Sequence, residues 1–162
     1  MAYIIKFIDF INTIVKVTVS AMLAIMSVLI VLQVIFRYIL ESSLPWSEEI
    51  SRYLMVYIVF FGAALSLRYR QMIAIEFIGE RLPKGIRKYL NIFVLVICIV
   101  FFSVLFKVGL DITQQVHMQL AASTRIPMSI PYAAIPIGAL LLLFNSVGVI
   151  LEEMQGKKDG EF

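Results

Sequence analysis

Four stretches of the chain carry no charge. Val17 to Phe36, Tyr53 to Leu67, Tyr89 to Phe106 and Ile126 to Leu151 hold no acid, base or histidine over 20, 15, 18 and 26 residues. A helix needs about 20 apolar residues to cross a bilayer. Three of the stretches meet or approach that length. The second does so if its helix starts near Trp46 and carries Glu48, Glu49 and Arg52 in the headgroup zone. None alternates with period two, which argues against a β-barrel, and in lipid only a helix satisfies its own backbone. The pattern therefore predicts an all-α integral membrane protein with four transmembrane helices, spanning about 17–39, 47–68, 88–107 and 127–151. Together they form a single domain over residues 1–155, followed by a disordered tail over 156–162.

The charges between the runs give an orientation. Lys6 and Lys16, the loop bases Arg68, Arg70, Arg81, Lys84, Arg87 and Lys88, and Lys157 and Lys158 in the tail put ten cations on one side. Arg37, Arg52, Lys107 and Arg125 put four on the other. The positive-inside rule then places both termini in the cytoplasm. Lys6, Asp9, Thr13 and Lys16 form a polar stripe along residues 3–16. Two readings stay open for that segment: an amphipathic helix lying in the interface, or an extension of the first span. The loop also holds Met72, Ile73, Ile75, Phe77, Ile78 and Leu82, which suit a segment close to the membrane. Leu82-Pro83-Lys84-Gly85 reads as the break before the third span.

Composition agrees: 61% of residues are hydrophobic and 15% charged, against about 45–50% and 25% in soluble domains. The net charge of +3 sits in connecting segments and is no sign of nucleic-acid binding. Cys98, the sole cysteine, permits no disulfide within the chain and no cysteine-based metal site from this chain alone. His117, the sole histidine, cannot supply both axial ligands of a bis-histidine haem and reads as a solvated loop residue. Lys6, Asp9 and Lys16 interrupt the N-terminal region, so the first helix is expected to stay as an anchor rather than be cleaved.

The densest set of candidate residues runs from Leu44 to Arg52. Pro45 suits a first helical turn, Ser47 can cap, and Glu48 and Glu49 favour a helix N-terminus. Glu48 and Arg52 have the favourable i, i+4 order, and Trp46 suits the membrane interface. Arg37, at the end of the first span, is placed to pair with Glu48 or Glu49 across the hairpin. The cluster reads as a well-made helix start or as a contact point for a partner. Gly62 and Ser66 set small residues at i and i+4, which permits close helix approach. Gln33 and Asn145 are candidates for polar glue between helices. Pro127, Pro131 and Pro136 punctuate the start of the fourth span.

In this order the features resemble the small membrane subunit of tripartite ATP-independent periplasmic (TRAP) transporters, the DctQ-like family. The resemblance runs from about Val28 to Leu143. It rests on Phe36-Arg37-Tyr38, Trp46-Ser47-Glu48-Glu49, Phe60-Phe61-Gly62-Ala63-Ala64, Arg68-Tyr69-Arg70, Leu82-Pro83, Ser123-Thr124-Arg125-Ile126-Pro127 and Ile135-Pro136-Ile137-Gly138. One departure is Met72, where the family often has a histidine; Glu76 matches the acid four residues on. The resemblance implies a subunit of the bacterial inner membrane that is not an enzyme and carries no cofactor or metal. It also implies packing on a large M-type permease subunit and transient contact with a periplasmic substrate-binding protein. The assembly would drive sodium-coupled uptake of an organic acid such as sialic acid or a C4-dicarboxylate. The interface candidates are Arg37, Trp46, Ser47, Glu48, Glu49, Arg52, Gly62 and Ser66. Two other functions compete. An autonomous small four-helix exporter would usually need a carboxylate at membrane depth, and the uncharged runs have none. A membrane anchor of a redox complex would need haem or quinone ligands.

Overall fold

The computed structural model describes residues 2–69 and 84–155. Its helices are α1 (Ala2–Tyr38), α2 (Pro45–Arg68), α3 (Lys84–Gln115), the single turn α4 (Ser129–Tyr132) and α5 (Ala134–Gln155). Among the described residues there is no strand, only an isolated bridge between Leu120 and Pro127. Four segments are long and apolar enough to cross a membrane: Ile5–Tyr38, Pro45–Arg68, Tyr89–Gln115 and Ser129–Glu152. The all-α, four-span architecture is thus the one the charge-free runs predict. The loop break at Leu82-Pro83, the apolar loop residues, Met72, Glu76 and the 156–162 tail lie outside the described residues.

The helices reach past the uncharged runs. α1 has 37 residues and at 1.5 Å per residue is about 55 Å long, more than the roughly 40–45 Å of a bilayer with its headgroups. Residues 3–16 continue α1 without a break. Their inner face, Ile5, Ile8, Asn12 and Val15, is buried in the bundle, while Tyr3, Phe7, Phe10 and Ile14 point outward. Spacings of three and four residues generate both faces.

The helices pack in the order α1, α2, α5, α3, because α1 lies on α2, α2 on α5 and α5 on α3. α5 is central: half of its most apolar window is buried, against none for α1. One apolar cluster joins Ala64 and Leu67 of α2, Leu95 and Phe102 of α3, and Leu142 and Val149 of α5. A second joins Val15 and Val19 of α1 to Phe61 of α2, with Tyr57 edge-on to Phe61 at 5.6 Å and 81°.

Glycine sets the closest helix approach, but not at Gly62. A Cβ at Gly62 would meet nothing within 4 Å, whereas one at Gly138 would lie 2.5 Å from Phe60 Cβ. One at Gly109 would lie 2.9 Å from Ile135 Cγ2. The close seams are therefore α2–α5 at Phe60/Gly138 and α3–α5 at Gly109/Ile135. Gly138→Ala should lower thermal stability in detergent by about 1–3 kcal/mol through overpacking. Gly62→Ala, with the same gain in helix propensity, should be neutral or stabilising by up to about 1 kcal/mol. Thermal unfolding of both variants checks this, and equal effects would show the seam is misplaced.

Candidate functional site

The candidate residues gather at two ends of the bundle. The hairpin end holds the start of α2 and the segment before α5. Pro45 occupies the first turn of α2, and Leu44 at the N-cap offers no side-chain cap. Ser47 does not cap as expected: it is buried, and its hydroxyl donates back to the Leu44 carbonyl at 2.9 Å. Trp46 is partly exposed. Glu48 and Arg52 pair at 3.4 Å with both side chains 70% exposed, a geometry that contributes little to stability.

Glu49 has a different role. Its Oε1 accepts the Tyr53 hydroxyl at 2.7 Å. Its Oε2 accepts the backbone N–H groups of Ser123 at 3.1 Å and Thr124 at 2.9 Å. Those two amides belong to a tight turn. In it Met128 N–H donates to Gln119 O at 2.8 Å and Ala121 N–H to Ile126 O at 2.9 Å, with Arg125 at φ 57°. A carboxylate receiving adjacent backbone N–H groups makes charge-assisted hydrogen bonds, stronger than neutral ones. Glu49 thus fastens the α3–α5 connection to the N-terminal part of α2. Tyr57 adds a second tie, donating to Ile130 O at 2.7 Å. Gln33 of α1 donates to Ser51 of α2 at 3.0 Å, the inter-helix glue expected of it. Arg37 is exposed and makes no ion pair with Glu48 or Glu49 among the described residues. His117 is exposed, with Nδ1 3.1 Å from Ser129 Oγ.

At the terminal end of the bundle a buried ion cluster joins three helices. Arg68, the last residue of α2, has a side chain only 1% exposed. Its Nε and Nη2 donate to Asp9 Oδ1 of α1 at 2.9 and 2.6 Å. Its Nη1 and Nη2 donate to the two carboxylate oxygens of Glu152 of α5 at 2.8 and 2.6 Å. The Glu152 contact is the bidentate fork that guanidinium geometry allows and ammonium does not. Farther along α1, Asn12 and Asn145 exchange amide hydrogen bonds at 2.6 and 2.9 Å. Their remaining N–H groups reach Ile8 O at 2.8 Å and Ala64 O at 2.7 Å. Both asparagines are almost fully buried.

Of the candidates, the structure brings Glu49 together with the α3–α5 connection and leaves Glu48, Arg52 and Arg37 at the surface. Gly62 and Ser66 sit half-buried on α2. Asp9, Arg68 and Glu152 were not among the candidates. The available signal is that an up-down arrangement of the spans puts all three, with complementary charge, at one end of the bundle. Glu49→Ala should expose the turn, so trypsin cleaves faster after Arg125, while Glu48→Ala should leave cleavage unchanged. A time course of limited proteolysis on the two variants decides it.

Residues 26–156 match the family of tripartite ATP-independent periplasmic transporters, DctQ component. A sialic acid TRAP transporter permease protein, SiaT, of Haemophilus influenzae is 29% identical over 74% of this chain, covering 19% of that protein. A putative TRAP transporter small permease protein of the same species is 34% identical over 55% of this chain and 57% of its own length. The C4-dicarboxylate TRAP transporter small permease protein DctQ of Vibrio cholerae is 26% identical over 83% of this chain and 68% of its own. The chain thus spans about a fifth of the first relative and somewhat over half of the second.

Proposed function

The chain belongs to the DctQ component family of tripartite ATP-independent periplasmic transporters, and from that premise we propose that it works as a scaffold packed on a large M-type permease subunit. It is a multi-pass membrane protein and a transport component, not an enzyme. In the proposed assembly the large subunit moves an organic acid, sialic acid or a C4-dicarboxylate being the classes named for its relatives. Sodium drives the uptake, and a periplasmic binding protein delivers the substrate. The complex sits in the bacterial inner membrane with both termini of this chain in the cytoplasm. The terminal end carrying the Arg68 cluster is then the cytoplasmic one, and the Glu49-fastened turn faces the periplasm.

One observation carries the reading. In the SiaT relative, the stretch similar to this chain makes up only a fifth of a single permease polypeptide, so a counterpart of this chain works there covalently joined to a larger body. The fold is compatible. The uncharged run of each span holds no acid, base or histidine, and the Asp9–Arg68–Glu152 cluster lies toward the terminal end of the bundle. Arg37, Trp46, Glu48 and Arg52, exposed at the hairpin end, and Gly62 and Ser66 on α2 are the surfaces offered to the partners.

Affinity-tagged chain expressed with its large permease subunit should co-purify with it. Reconstituted alone, the chain should give no uptake of sialic acid or a C4-dicarboxylate under a sodium gradient. Uptake by the lone chain would refute the scaffold reading.

A further inference from the structure

We propose that Arg68, together with the Asn12–Asn145 pair, is a register clamp: this polar layer, and not the apolar faces, selects which turn of α1, α2 and α5 meets which. The proposal is independent of the transporter reading and rests on three observations.

The first is the chemistry of the helix faces. Around the layer α1 offers Ile5, Ile8, Val15 and Val19, repeated at helical spacing. Lipid tails are as apolar as these side chains, so burial against a neighbouring helix gives little drive for one register over another. Sliding α1 by one turn, about 5.4 Å, exchanges one aliphatic contact for another.

The second is that the polar layer does not tolerate that slide. Arg68 is held from both sides, by Asp9 on α1 and by Glu152 on α5. A one-turn shift of α5 takes Glu152 off the guanidinium and breaks the bidentate fork at a buried site, and a one-turn shift of α1 removes both hydrogen bonds to Asp9. It also strands Asn145, whose amide N–H groups are divided between Asn12 and the Ala64 carbonyl. A single buried polar position fixing helix register is the best attested specificity role for such groups.

The third is placement. α1 packs on α5 only sparsely, yet the α1–α5 contact is where the reciprocal asparagine pair lies and where the two carboxylates converge on Arg68. The layer lies at a seam far more sparsely packed than those of α1 with α2, α2 with α5 and α3 with α5. Its effect is to hold the first third of α1 in the bundle, which keeps Tyr3, Phe7 and Phe10 facing outward.

The test uses the full chain with Cys98→Ser and cysteine pairs that report register. Ile8→Cys with Gly148→Cys reports the native one, since a Cβ on Gly148 lies 3.2 Å from Ile8 Cδ1 and the shortened side chain leaves room. Ile5→Cys with Gly148→Cys reports a one-turn slide. The parent should oxidise predominantly through the native pair, with a minor shifted product that sets the reference ratio. A charge-free layer, made by Asp9→Asn, Arg68→Gln, Glu152→Gln, Asn12→Leu and Asn145→Leu, removes any unpaired charge. In it the ratio of native to shifted cross-link should fall about tenfold. An unchanged ratio overturns the proposal. If that chain yields no monomer, the ratio is read on Asn12→Leu with Asn145→Leu and, separately, on Asp9→Asn with Arg68→Gln and Glu152→Gln. A reduced ratio in either supports the clamp, and the parental ratio in both overturns it.

Discussion

The bundle depends on one buried guanidinium. Arg68 ends the second helix, yet it is among the most buried side chains of the molecule, and carboxylates from the first and last helices close on it. Breaking a fully buried pair costs about 3–5 kcal/mol; Glu152 approaches that case, whereas half-exposed Asp9 does not. The ends of α2 and α5 therefore have to arrive together, with α1 closing on them. Asp9 remains 45% exposed while Glu152 is 11% exposed, so the cluster grades from the protein interior toward the surface along α1.

Polar joints occupy the two ends of the bundle, and apolar packing fills the middle. At the hairpin end, Glu49 takes two backbone N–H groups of the turn before α5. At the terminal end, Arg68 and the asparagine pair tie α1 and α5 to α2. Between them, contact rests on small residues that let helices approach, above all Gly138 under Phe60. This division follows from the solvent: apolar surface gains little by leaving lipid for protein, so close packing and hydrogen bonds carry the specificity.

The same division explains what the sequence made legible. Four uncharged runs were enough for the four helices and for α-structure, because in a bilayer length and polarity leave few alternatives. Asn145 and Gln33, isolated amides in apolar runs, were recognisable as glue, since an amide there needs a partner. Arg68 was not, because charge counting groups it with the basic loop, and only the three-dimensional approach of Asp9 and Glu152 removes it from that set. Gly62 has the local small-residue spacing, while Gly138 carries the contact. Local spacing does not say which face of a helix meets a neighbour. Glu49 and Glu48 are indistinguishable as adjacent acids, and one residue of helical rotation, about 100°, separates the one that fastens a loop from the one that faces solvent.

The row α1, α2, α5, α3 leaves much apolar surface uncovered, notably on α1 and α3. In water such exposure would itself demand a partner; in lipid it does not. The exposed hydroxyls make the point sharper. Thr13, Ser20, Ser27 and Ser103 each donate to the carbonyl four residues earlier in their own helix, at 2.7 to 2.9 Å. No neighbour is needed to satisfy them, so these faces are stable against lipid tails or another helix. A fold with those properties can be complete on its own and still present broad, chemically undemanding surfaces to a larger body. In the proposed assembly, recognition beyond that would rest on the few positions where polarity is exposed, and those lie at the helix ends, with the hydrogen-bonded turn held by Glu49 among them.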